Sequence, residues 1–159
     1  MKLKSLVCAI ALLGTAGLAQ AADSYALAAS GVINGVCKFT QAAGGTLVFT
    51  NNAGGGIDPS VATDATASAN ITYKCTSGTA PATITGTGAN DPSLGVHNLK
   101  NGTNTLAYTV ALTGGGAGDG FGAASTNKTL AVAGTILQAQ FTSAVAGTYT
   151  DTLTVNITP

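Results

Sequence analysis

The sequence predicts an all-β protein, an antiparallel sandwich or barrel, and three observations lead there. Apolar residues recur at every second position in several short runs. Stretches rich in Gly, Asn and Pro separate those runs at intervals of about ten residues, the rhythm of short strands joined by tight turns. Beyond the first twenty or so residues, no segment sustains the period of an amphipathic helix.

Taken in order, Met1 to Ala21 reads as a secretory signal. Lys2 and Lys4 supply a positive start, Leu6 to Leu18 is mostly apolar, and Ala19-Gln20-Ala21 fits small-x-small cleavage, after Ala21 or Ala22. The apolar run is too short for a membrane span. Domain boundaries follow as a signal over 1–21, an N-terminal strand over 22–33 and a β-domain over 34–159. In the N-terminal strand Tyr25, Leu27, Ala29, Gly31 and Ile33 share one parity. Chain starts usually fray unless tied down, so this strand either pairs within its own sheet or is added to another molecule's.

Short candidates follow at Gly31–Thr40 and Thr46–Thr50. From Ala67 to Cys75, apolar Ala67, Ala69, Ile71, Tyr73 and Cys75 alternate with Ser68, Asn70, Thr72 and Lys74. Ala82–Thr87 and Lys128–Val132 are further short candidates. Leu106, Tyr108, Val110 and Leu112 repeat the pattern, and Leu137, Ala139 and Phe141 alternate with two glutamines. The last run is the cleanest: Tyr149, Leu153, Val155 and Ile157 face one way and threonines mostly the other, with Asp151 interrupting the apolar row. Asn51–Gly56, Thr76–Pro81, Gly88–Gly102 and Gly114–Ser125 read as turns and loops.

Once Cys8 is removed with the signal, Cys37 and Cys75 remain, and an even count in an exported chain predicts a Cys37–Cys75 disulfide. The chain has no arginine, no glutamate and no tryptophan, and its six acidic residues are all aspartates. Nucleic acid or anionic lipid would demand dense positive charge, which is missing. The single histidine, His97, reads as a solvated loop residue without metal-ligating or catalytic neighbours. Gly114–Gly122 lacks the Gly-Lys-Ser/Thr ending of a phosphate loop. Catalysis, cofactors, metals and small-molecule substrates are therefore not expected.

The ending Gly147-Thr-Tyr149-Thr-Asp151-Thr-Leu153-Thr-Val155 resembles the closing motif of spore coat protein U-like domains, including subunits of archaic chaperone–usher pili. Ala69–Cys75, Ala82–Thr87, Leu106–Tyr108 and Val132–Gly134 leading into Leu137–Phe141 resemble the same family, in the same order. Thr50 where many relatives have Gly, and the missing Arg before the middle strands, are departures. The resemblance implies an immunoglobulin-like sandwich lacking its last strand. Tyr25–Ile33 would be the donor strand that fills the gap in the next subunit. It also implies a surface pilus serving adhesion and biofilm formation, secreted through the periplasm. The partners would be copies of the chain, a periplasmic chaperone, an outer-membrane usher and a tip adhesin. The competing expectation is a secreted coat or matrix protein that does not polymerise through an usher.

Overall fold

The computed structural model describes residues 23–92 and 96–159, so the signal read over 1–21 lies outside the described residues. The chain divides into two units, Met1–Val32 and Ile33–Pro159. In the first, the described residues form no strand, and Tyr25, Leu27 and Val32 are exposed.

Among its described residues the second unit holds seven strands and one short helix: β1 (Cys37–Phe39), β2 (Ala65–Cys75), β3 (Thr83–Gly88), β4 (His97–Asn101), β5 (Asn104–Thr113), β6 (Lys128–Ile136), α1 (Gln138–Phe141) and β7 (Leu153–Thr158). The named strands all pair antiparallel, in a five-stranded sheet ordered β1-β2-β6-β5-β4 and a two-stranded sheet of β3 and β7. The expected all-β antiparallel architecture holds. Alternation explains it: one face of each strand is apolar and must be covered. Ala65, Ala67, Tyr73 and Cys75 of β2 are buried, as are Leu130, Val132 and Ile136 of β6. Ile84, Leu153, Val155 and Ile157 of the small sheet pack against Tyr73, Leu130 and Val132 of the large one. Gly134 lies under the Phe49 ring, where a Cβ would stand 2.8 Å from two ring carbons. The fully buried Tyr73 hydroxyl has no hydrogen-bond partner among the described residues.

Five expectations are corrected. Gly31–Thr40 contains only β1, and Thr46–Thr50 contributes a single bridge, Thr50 to Thr66. Between these, the Gln41 side chain accepts from the Thr72 N–H at 3.2 Å and takes the place of a paired strand. Leu137–Phe141 is not a strand but α1, whose first N–H, that of Gln138, donates to Asp64 Oδ1 at 2.8 Å. Only Phe141 of that helix is buried, a requirement that two periodicities meet equally well. Gly88–Gly102 is not all loop, since β4 lies inside it and hairpins onto β5 through Gly102 at φ 61°. The final strand starts at Leu153, and Thr150 pairs instead with Lys100 of β4.

Candidate assembly edge and its anchors

β7 is the element on which the candidate site is built. Its register with β3 runs from Thr83↔Thr158 to Gly88↔Leu153. The Thr158 and Thr152 carbonyls accept from the Ala82 and Ala89 N–H groups, each at 2.9–3.0 Å. Antiparallel alternation then turns the even-numbered backbone toward β3 and the N–H and C=O groups of Leu153, Val155 and Ile157 the other way. Among the described residues no strand pairs with that second edge. The side chains of the same three residues point into the core, yet remain only half-buried, whereas Leu130 opposite them is fully covered. An unpaired ladder therefore borders an under-covered apolar row. The expected C-terminal set is placed together here, except for Tyr149, which packs with the second core cluster around Phe49 and Tyr108. The Tyr149 hydroxyl donates to the Val145 carbonyl at 2.9 Å.

A buried polar network fixes the start of this strand. Asp151 Oδ2 accepts from the Tyr108 hydroxyl at 2.6 Å, and its Oδ1 accepts from the Asn90 N–H at 3.1 Å. Asp91 accepts from the Gly88 N–H at 2.6 Å, and the His97 Nδ1–H donates to it at 3.0 Å. The His97 ring lies 5.1 Å from that of Tyr108. His97 is thus not a solvated loop residue: it is 5 % exposed and opens β4. The sequence reading missed it because a strand of five residues within Gly- and Asn-rich flanks carries almost no period. Gly88 is required where it stands, because a Cβ would overlap carboxylate oxygens of both aspartates. Burial, then the hydrogen bond and charge of Asp151, then the charge of Asp91, push the Tyr108 phenol well above its ordinary range.

Asp151→Ala is expected to lower the unfolding free energy by about 2–3 kcal/mol, since it strands a buried phenol and an amide. Asp151→Asn, which keeps an acceptor, should recover part of it. The raised phenol pKa stabilises the fold at neutral pH, and that contribution fades as pH climbs past about 10, the value of free tyrosine. Urea titrations of the three proteins at pH 7 and in alkali check both statements.

Cys37 and Cys75 are bonded as expected, with Cα atoms 4.1 Å apart across the β1–β2 pair. The glycine-rich loop has a structural task beside them. The Gly120 N–H donates to the Cys75 carbonyl at 3.0 Å, and Gly118 sits so close to that carbonyl that a Cβ would overlap it. Hydrogen bonds from Thr126 and Lys128 hold the Asp119 carboxyl in this loop below the usual carboxylate range. The expected donor residues Tyr25 and Leu27 are exposed and form no strand, and Ile33 of the second unit is exposed likewise. No group of His, Cys, Asp and Glu side chains suited to a metal ion occurs among the described residues.

The family model for the Spore Coat Protein U domain matches residues 23–156. No curated protein and no solved structure matches the chain. With most of its length matched, this chain belongs to the Spore Coat Protein U domain family, the family of chaperone–usher pilus subunits.

Proposed function

We propose that the chain is a structural, non-catalytic subunit of a bacterial surface pilus, assembled head-to-tail by donor-strand exchange. Residues 22–33 form the donor strand and 34–159 an incomplete immunoglobulin-like sandwich. The free edge of β7 is the observation that carries this reading: it offers an unpaired ladder beside half-buried Leu153, Val155 and Ile157. A strand of alternating residues, which Tyr25–Ile33 is by sequence, supplies ladder bonds and apolar side chains to such an edge together. The Tyr149–Val145 hydrogen bond, from a tyrosine just before the final strand back to a carbonyl four residues upstream, matches the tyrosine corner of immunoglobulin-like domains and supports the sandwich.

Each subunit gives one strand and receives one, so the contact does not close and an open fibre results. Until capped, the edge is an aggregation hazard, which accounts for a periplasmic chaperone and an outer-membrane usher as partners. Secretion through the periplasm to the cell surface, with adhesion and biofilm formation as the fibre's task, completes the reading. The test is polymerisation of the purified chain. Fibres in negative stain and heat-resistant ladders on unboiled gels are expected; a chain that stays monomeric after release from its chaperone overturns it.

A further inference from the structure

Where the chain enters β1, residues 34–36 meet both the backbone and the side chain of Thr76. The β1–β2 register continues past the disulfide to bring Val36 opposite Thr76, and the Thr76 N–H donates to the Val36 carbonyl at 2.9 Å. In a hydrogen-bonded antiparallel pair the second bond would return to the Thr76 carbonyl. Here the Val36 N–H donates to the Thr76 hydroxyl instead, at 3.0 Å. That hydroxyl has one proton to give, and it lies 3.3 Å from the Asn34 carbonyl and 3.4 Å from the Val36 carbonyl. Its contacts therefore fall on both sides of Gly35, the residue with the widest backbone freedom. Gly35 itself lies against the β2–β3 turn and the chain end: a Cβ there would meet Thr79 at 3.1 Å and Pro159 at 3.7 Å.

We propose that Thr76 is a positioning residue that fixes the direction in which the N-terminal arm leaves the domain, and so sets the bending stiffness of the fibre. The proposal rests on the donor-strand reading. In a head-to-tail polymer, residues 34–36 are the only covalent joint between one domain and the strand it lends. Their dihedrals are the softest coordinates of that joint. A hydroxyl that accepts from Val36 and lies within donating distance of Asn34 braces the chain on both sides of Gly35. The disulfide at Cys75, next to Thr76, ties that brace to β2.

The test compares wild type, Thr76→Val, which keeps the shape and loses the hydroxyl, and Thr76→Ser, which keeps the hydroxyl. Amide exchange at Val36, melting temperature, fibre yield and fibre persistence length are measured on the full chain. In Thr76→Val, exchange at Val36 is expected to quicken by about tenfold, as loss of one hydrogen bond implies. Its fibres should form at wild-type yield with a shorter persistence length, the melting temperature should hold, and Thr76→Ser should restore both the exchange rate and the stiffness. Thr76→Val fibres as stiff as wild type overturn the proposal. So does softening that tracks a fall in melting temperature and is not rescued by serine, which marks a plain strand cap. Unchanged exchange at Val36 overturns the clamp in the monomer, even for a variant that yields no fibres. Absence of fibres from wild type itself sinks the donor-strand reading, a failure distinct from the others.

Discussion

Leu27→Asp is expected to abolish fibre formation while leaving the folded domain, its export and its capture by a chaperone intact. Leu27 is 82 % exposed, and the described residues before β1 form no strand, so its substitution removes nothing from the two sheets or their core clusters. In the fibre the same side chain would lie in a neighbour's groove, on the parity of Tyr25, Ala29, Gly31 and Ile33. Losing a buried leucine forfeits about 1.5–3 kcal/mol, and leaving an unpaired carboxylate in its place costs several kcal/mol more. Ala28→Asp, one position along, points its charge out of the groove and should polymerise far better. Fibre yield and unboiled gel ladders compare the two, with circular dichroism of the monomers as the folding control. Equal polymerisation of Leu27→Asp and wild type defeats donor-strand exchange. Misfolding of the Leu27→Asp monomer would favour a strand that completes its own sheet.

The long strands were legible because each must hide one face and wet the other. In β2, Ala67, Tyr73 and Cys75 are buried while Thr66 and Ser68 are exposed, the parity that alternation requires. The disulfide was legible from cysteine count alone. What the sequence hid are places where a side chain, not a ladder, ends or replaces a strand. Gln41 bonds to Thr72 in the gap between β1 and Thr50, and Thr76 stops β1 short of Gly31. Such contacts span 31 and 40 residues and leave no local period. Of the candidate site, the row Leu153, Val155 and Ile157 was visible as one face. Its open edge was not, since pairing belongs to the backbone and any side chain would serve. Asp151 did leave a trace, as the one polar break in that row, but its partners Tyr108 and Asn90 come from segments 43 and 61 residues away.

Cys37→Ser combined with Cys75→Ser is expected to lower the unfolding free energy by about 4 kcal/mol, the chain-entropy contribution of a closed loop of this length, against a total of some 5–15 kcal/mol for a small domain. The fold has little to offset the loss. β1 has three residues and pairs with β2 alone, so the bond carries much of what keeps that edge, and the joint at residues 34–36, in place. Cys75 is fully buried and Cys37 nearly so, and the Gly118–Gly120 loop covers the Cys75 carbonyl. A reductant must therefore wait for the structure to open, and native protein should release thiols slowly in dithiothreitol. Gly118→Ala should release them faster, because its Cβ has no space while that carbonyl stays where it is. Urea unfolding of the double serine variant and timed thiol counts on the other two proteins measure these effects. A double variant within about 1 kcal/mol of wild type would mean that the bond constrains the unfolded chain far less than its loop length implies. Equal thiol release from Gly118→Ala and wild type would mean that the glycine loop does not guard the bond, leaving the burial of the two sulfurs under Tyr73, Leu130 and Val132 as the sole barrier.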